Sequence, residues 1–208
     1  MKLLKVLWQV SEWSDCDRKD NLTFWFYNKI TGDKKSLHVP FREMDGVTPE
    51  ILLELAPGYD VYFTLAAMRC GLSEYERGKR TDTTALPAFV VDIDMYSDDP
   101  RVHKARNLPK TEEEVLEILK DTPPPTAIVD TGYGRHVYWA LRSPIVLDDE
   151  KARRTAQGYL SVFQEKICQR AMEIGGWHVD KTPALQHVYR VPGTYNYKLA
   201  NNPRQVAA

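Results

Sequence analysis

Three short polar motifs, each at the edge of an apolar strand-like run, constrain the fold of this chain most strongly. The first is the acid pair in Val91-Asp92-Ile93-Asp94, the second is a glycine turn in residues 131–139, and the third is Asp180 with residues 190–198. Acid pairs and glycine turns are each common. Together they indicate a metal-dependent site for a triphosphate, so the fold must bring three distant segments to one place.

The acid pair follows the apolar run of residues 88–91. Residues two apart on a strand point to one face, so Asp92 and Asp94 present their carboxylates side by side. Bare carboxylates at that spacing repel each other, and a divalent cation removes the repulsion. Oxygen ligands favour Mg²⁺ or Mn²⁺ over zinc. The alternative is a polar strand end that faces solvent.

The glycine turn contains Gly132 and Gly134, which allow backbone amides to approach an anion closely. On the outgoing strand His136 and Tyr138 share one face, and Arg135 points to the opposite side. His136 is then placed to hydrogen-bond phosphate oxygens. The alternative is a tight hairpin with a half-buried imidazole.

The third motif adds a carboxylate and two cations. Asp180 would complete a trio of acids, enough for two metal ions. Arg190 and Lys198 would supply the fixed positive charge that holds a triphosphate and stabilises its displacement. The alternative is an ordinary proline–glycine turn with surface cations.

The remaining pattern predicts an α+β fold with a mainly antiparallel sheet, because strands and helices do not alternate strictly. Strands are predicted at residues 1–8, 22–27, 36–39, 60–65, 88–96, 126–130 and 135–141. Helices are predicted at 48–55, 111–121 and 150–174, the last with Tyr159, Leu160, Phe163 and Ile167 on its apolar side. Residues 73–84 read as a polar loop.

The whole chain of 208 residues is long enough for one domain, and no apolar run approaches the length of a membrane span. The scattered cysteines Cys16, Cys70 and Cys168 form no CxxC pair, which favours a reduced, cytoplasmic setting and argues against structural zinc. Residues 1–150 carry 19 basic and 26 acidic side chains, and residues 151–208 carry 9 and 3. This asymmetry suits a polyanionic partner at the C-terminal end, although a merely solvated basic helix face explains it equally well.

Several other polar and aromatic residues show no ligand spacing. Single histidines are expected at the surface or in the core, tryptophans in the core, and Asp130 as a turn cap, whereas His187 is a further candidate to face the site. The histidines are His38, His103 and His178, and the tryptophans are Trp8, Trp13, Trp25 and Trp177.

The three motifs in this order resemble the archaeo-eukaryotic primase superfamily, in particular the primase–polymerases and RepB-like primases of plasmids, phages and defence loci. The matched stretch covers residues 88–198. The resemblance implies one catalytic domain over residues 1–208, in which a small N-terminal α/β part (1–84) packs on an RRM-like, mainly antiparallel sheet (85–208).

The resemblance also implies roles for single residues. Asp92, Asp94 and Asp180 would be catalytic and ligate two Mg²⁺ or Mn²⁺ ions, with no zinc. The nucleotide would contact His136, Arg190, Lys198, Gly134 and Tyr138, the last near the sugar 2′ position. A 3′-hydroxyl would attack an α-phosphate in line and release pyrophosphate.

The implied partners are a single-stranded DNA template, a primer strand and nucleoside triphosphates, and we expect a monomer. The basic stretch with Arg77, Lys79 and Arg80 is the candidate template contact. A helicase or an accessory C-terminal domain would be a further partner if the chain is the catalytic core of a longer protein.

Two departures from the family pattern and two alternatives remain. Gly134 stands where many relatives have serine, and His187 where they often have a second arginine. Relatives that start primers often use a C-terminal helical domain. We therefore expect this chain to extend an existing primer rather than to start one. The alternatives are a non-catalytic replication-initiator or nucleic-acid-binding module, and a DxD metal-dependent glycosyltransferase.

Overall fold

The computed structural model describes residues 2–9 and 20–208, so the predictions made for Trp13 and Cys16 lie outside the described residues. The helices are α1 Lys2–Gln9, α2 Pro49–Leu55, α3 Glu112–Leu119 and α4 Glu150–Gly175. The strands are β1 Asn21–Tyr27, β2 Lys34–Pro40, β3 Asp60–Thr64, β4 Ala67–Met68, β5 Thr83–Asp94, β6 Ala127–Asp130, β7 Gly134–Val146, β8 Val188–Arg190, β9 Tyr195–Asn196 and β10 Arg204–Gln205.

Eight of these strands form one sheet in the order β6-β7-β5-β4-β1-β3-β8, with β2 paired to β1. Every strand pair in it is antiparallel, which confirms the predicted α+β class. Strands from both sides of residue 84 share this sheet, and β5 crosses that position. The late strand β8 pairs with the early strand β3, so residues near 190 lie beside residues near 62.

Alternation along β5 and β7 divides their side chains between the two faces of the sheet. Val91 and Ile93, with Val137 and Trp139, pack in one core cluster with residues of α3 and α4. The alternate residues of the two strands therefore point to the other face, where Val90 and Tyr138 join the larger core cluster. Near the end of β5 this second face becomes polar and carries the acid pair.

The first described segment corrects a prediction, because residues 2–9 form a helix and not a strand. Its buried residues recur at spacings of one and four: Leu3, Leu4, Leu7 and Trp8. Residues four apart lie on one face of a helix, so this apolar stripe packs inward while Lys2 and Lys5 stay exposed. Trp8 lies in the core, as predicted.

Strand β5 begins at Thr83, five residues before the predicted start, and ends at Asp94 rather than at residue 96. Pro87 lies inside the strand at a register shift between Leu86 and Ala88. Proline has no backbone N–H, and a break in the ladder is where a strand tolerates that loss. The predicted loop over 73–84 therefore ends two residues early.

Helix α4 matches the prediction in length, and Leu160, Phe163 and Ile167 pack inward as predicted, whereas Tyr159 does not. The buried residues are Ala156, Leu160, Gln164, Ile167 and Ala171. Tyr159 precedes this stripe by one residue, about 100° around the helix, and is 58% exposed. Its predicted place on the apolar side is wrong. In the described ranges no helix combines the length and apolar character that crossing a bilayer requires.

Candidate active site

The acid pair lies at the end of β5, directly opposite the outgoing strand of the glycine turn. In the antiparallel register Asp92 pairs with His136, and Asp94 pairs with Gly134. The two carboxylate side chains are 28% and 32% exposed, so each is partly open to solvent. The strand geometry therefore places Asp92, Asp94 and His136 on one face, as the sequence spacing predicts.

The glycine turn is fixed by its backbone conformation and by one side-chain cap. Gly132 has a φ of +88°, which favours glycine, and its N–H donates to Asp130 Oδ1 at 2.7 Å. Asp130 is therefore a turn cap, as predicted. At Gly134 a Cβ atom would lie 2.6 Å from the carbonyl oxygen of Ile93, so the two strands approach each other too closely for a serine.

His136 is buried beside the acid pair. Its Nε2 lies 3.7 Å from Asp92 Oδ1, and its Nδ1 lies 3.4 Å from the Tyr138 hydroxyl. Burial, with smaller contributions from the charges of Arg190 and His187, lowers the pKa of His136 to about 3. The imidazole is therefore neutral near pH 7. Tyr138 is itself fully buried, behind the imidazole.

The Asp92 carboxylate carries an electrostatic penalty in the protein alone. Burial, together with the charges of Asp94 and Asp180, raises its pKa to about 7. A bound cation would relieve this penalty, and carboxylate oxygens are the ligands that Mg²⁺ and Mn²⁺ prefer. The donor chemistry at Asp92 and Asp94 therefore fits a divalent metal ion.

The third acid lies next to the first, through the backbone. Asp180 forms an isolated antiparallel bridge with Asp92. Its side chain is 56% exposed, and its Oδ1 lies 2.8 Å from His178 Nε2. Within residues 2–9 and 20–208, no three or more His, Cys, Asp or Glu side chains are grouped closely enough to hold a metal ion. The backbone thus brings the three acids together, while their side chains stand apart.

Arg190 is held in place by a buried carboxylate that the sequence reading missed. Its Nη1 donates to Asp60 Oδ1 at 2.6 Å, and Asp60 is fully buried. Lys29 Nζ lies 3.2 Å from Asp60 Oδ2, and the Tyr197 N–H donates to Asp60 Oδ1 at 2.8 Å. Asp60 therefore anchors two cations and one backbone segment of the site.

Lys198 lies on the other side of the acid pair. Its Nζ is 3.1 Å from His103 Nδ1, which is 2.8 Å from Asp94 Oδ2. His103 Nε2 lies 2.9 Å from the carbonyl oxygen of Tyr133. His103 is thus buried, in line with its predicted surface or core role, but it is also a neighbour of the acid pair. Neither His103 nor His178 belongs to a spacing motif that would reveal its contact with an acid of the site.

One cavity of about 180 Å³ joins these groups, and we call it the site cavity. Five of the residues singled out from the sequence line it, together with His187 and the unpredicted Lys29. The five are Asp92, Asp94, His136, Arg190 and Lys198. Carboxylates and cations from segments far apart in the chain therefore face one space, an arrangement that can hold a polyphosphate with its metal ions.

The predicted template segment divides into residues with different surroundings. The Arg77 guanidinium lies over the Trp25 ring, with its carbon 5.4 Å from the ring centroid. Arg80 is paired with Glu150 of α4 at 2.6 Å, and Lys79 is exposed. Trp25 is only half-buried and lines an open groove, so its predicted place in the core is wrong.

Two solved structures share the fold of this chain. The AEP domain of the primase-polymerase of cyanophage S-2L matches with a TM-score of 0.54 and 14% identity, over 100% of this chain and 87% of that one. The primase RepB′ matches with a TM-score of 0.50 and 14% identity, over 90% of this chain and 50% of that one. No protein-family model and no curated protein matches the sequence. The chain therefore has the α+β fold of archaeo-eukaryotic primase domains.

Proposed function

We propose that this chain, with the fold of archaeo-eukaryotic primase domains, is a template-dependent nucleotidyltransferase that extends a DNA or RNA primer. The observation that carries the proposal is the site cavity, where two carboxylates and three cations from distant segments meet. The cations are Lys29, Arg190 and Lys198. Polymerisation from a triphosphate requires carboxylates and cations in one site, because the negative charge on the phosphates shifts during the displacement and must be neutralised throughout.

The cations would bind and orient the triphosphate. Arg190 is fixed by Asp60, so its guanidinium is oriented before a nucleotide arrives, and preorganised charge costs no rearrangement during reaction. His136, being neutral, would add a hydrogen bond to a phosphate oxygen rather than a charge. Tyr138 would hold the imidazole in position from behind, since its ring is fully buried.

The acids would hold the metal ions. We assign Asp92 and Asp94, with Asp180 after its carboxylate leaves His178, as the ligands of Mg²⁺ or Mn²⁺. When bound, such ions lower the pKa of an attacking hydroxyl and neutralise the phosphates. The close approach of β7 at Gly134 would keep the Asp94 carboxylate aligned with Asp92.

The test is primer extension on a primed single-stranded DNA template with Mg²⁺ or Mn²⁺. Wild type is compared with an Asp92→Asn/Asp94→Asn double variant, which keeps the shape of both side chains. We expect metal-dependent extension by the wild type and none by the double variant. A reaction with an unprimed template and either ribo- or deoxynucleotides separates priming from extension.

The matched control is Asp45→Asn, which removes a carboxylate that is 87% exposed and does not line the site cavity. It should extend primers like the wild type. A well-folded wild type that binds DNA but does not extend a primer would contradict the proposal and favour a non-catalytic initiator module. Normal extension by the double variant would instead overturn the assignment of the acids.

A further inference from the structure

A second, larger depression adjoins the site cavity, and its role is not explained by nucleotide binding. It has a volume of about 410 Å³ and is lined by Trp25, Tyr27, Tyr62, Lys34 and Arg77, together with His187 and Val188. We call it the aromatic groove. Tyr62, His187 and Val188 also line the site cavity, so the two spaces lie side by side.

The groove is built from alternate residues of neighbouring strands. Trp25 and Tyr27 lie on one face of β1, while Phe24 and Phe26 are buried on the other. Tyr62 of β3 is directly opposite Trp25 in the antiparallel register. All three rings are half-buried, so each leaves part of its surface accessible. The sheet thus presents three aromatic rings side by side on one surface.

The charge of the groove is positive. Arg77 lies over the Trp25 ring at 5.4 Å, and Lys34 Nζ lies 5.7 Å from the Tyr27 ring centroid. Among the residues that the structure describes, those that line the groove include no acidic side chain. By contrast, a cavity of about 350 Å³ that shares Tyr133 with the site cavity is lined by two acids, Asp98 and Asp130, as well as by three cations, Lys110, Arg135 and Arg204. Of these two neighbours of the site cavity, the aromatic groove is therefore the better match for a polyanion.

Accessible rings beside cations select an unpaired base over a base pair. Bases in a duplex are stacked on each other, whereas bases in a single strand are free to stack on aromatic side chains. Every base has a flat face, so such binding tolerates any sequence, as a template surface must. A guanidinium that lies over an indole ring can contact a base on its other side.

We propose that the aromatic groove binds single-stranded DNA, seating the template strand where it enters the site cavity. Bases would stack on Trp25, Tyr27 and the Arg77 guanidinium, and Lys34 would contact a backbone phosphate. The assignment to the template strand rests on the proposed nucleotidyltransferase function. The binding of single-stranded DNA itself is measured without catalysis.

The test is equilibrium binding of a fluorescein-labelled single-stranded oligonucleotide, followed by anisotropy with no metal or nucleotide. The variants are Arg77→Ala, which removes a loop side chain, and Trp25→Leu, which removes the indole. We expect each to weaken binding about tenfold or more. Trp25→Phe keeps a ring and should restore most of the affinity, and Arg77→Ala alone carries the test if Trp25→Leu does not fold.

The matched control is Tyr75→Ala, because Tyr75 is an aromatic residue of the same segment that is 77% exposed and outside the groove. It should bind like the wild type. Equal loss in this control, or unchanged affinity in the Arg77 and Trp25 variants, would overturn the proposal. So would a wild type that binds blunt duplex DNA as tightly as the single strand.

Primer extension by the same proteins distinguishes the two proposals. If the wild type extends primers but the groove variants bind DNA normally, the groove proposal fails and the proposed function stands. If the groove variants lose DNA binding but the wild type extends nothing, the groove is a DNA site and the catalytic proposal fails.

Discussion

At the scale of single residues, Asp60 is the group that positions several parts of the site from outside the site cavity. It is fully buried and anchors Arg190, Lys29 and the Tyr197 N–H. Asp60→Asn leaves Arg190, itself 8% exposed, without its counter-charge. Removing one partner of a buried ion pair costs about 3 kcal/mol or more of unfolding free energy. We also expect a higher KM for nucleotide, because Arg190 is no longer held in position.

Chemical denaturation and steady-state extension kinetics measure these two effects. The control is Asp33→Asn, in the exposed hairpin turn between β1 and β2, which should change neither quantity. An Asp60→Asn protein with wild-type stability and KM would show that Arg190 does not depend on this carboxylate.

Gly134 gives a second prediction at the residue scale. In Gly134→Ser the new Cβ would lie 2.6 Å from the Ile93 carbonyl oxygen, so β5 and β7 must separate next to Asp94. Overpacking of this kind destabilises by about 1–3 kcal/mol. The matched change Gly158→Ala, in the middle of α4 with no atom within 4 Å, should stabilise by up to about 1 kcal/mol. Thermal unfolding of both variants checks the opposite signs.

The residues found from the sequence are those whose role shows in a local pattern. Asp92, Asp94 and His136 stand in short motifs with strand spacing, and the structure gathers them as expected. Lys29 and Asp60 stand in no motif, because Lys29 contacts Asp60, and Asp60 contacts Arg190 across a separation of 130 positions. Local spacing carries no information about such a pair.

At the scale of elements, the burial stripe of α4 gives a prediction from two adjacent residues. Leu160 is 1% exposed, whereas Tyr159 is 58% exposed. Leu160→Ala should lower the unfolding free energy by about 2–5 kcal/mol because it leaves a cavity in the core. Tyr159→Ala should change it by at most about 0.5 kcal/mol. Denaturant titration measures both, and equal effects would mean that the stripe is placed wrongly.

Helices and strands were predictable where capping residues and hydrophobic periodicity agree. The predictions failed where a short apolar run shows no clear period. Thr48 caps α2 and Pro49 occupies its first turn, as expected from the sequence. The eight residues of α1 are too few for a helical period to stand out from an apolar run, so that segment reads as a strand. Pro87 suggests a strand boundary, but the register shift absorbs it.

At the scale of the whole molecule, metal binding should be visible in stability without any catalysis. A ligand that binds only the native state raises the unfolding free energy with its concentration, so Mn²⁺ should raise the Tm of the wild type. In Asp92→Asn this shift should be lost. Without metal, the variant should be the more stable protein above pH 7, because ionising a carboxyl whose pKa is raised from 3.8 to about 7 costs folding energy.

Thermal melts at several Mn²⁺ concentrations test this, with Asp45→Asn as the control that should respond like the wild type. A shift of equal size in wild type and Asp92→Asn would place the metal elsewhere.

The strand order of the sheet could not be predicted from the sequence, because the pairing of β3 with β8 joins segments with no shared local signal.

That pairing has a consequence for how the protein is made. The Asp60–Arg190 ion pair spans 130 positions, so a nascent chain must be synthesised through residue 190 before the early carboxylate meets its partner. A fragment cut off before β8 would carry a buried acid without its arginine and an open edge at β3, which favours unfolding or pairing with other chains. Translation that stops early should therefore yield material for proteolysis rather than a partly folded domain.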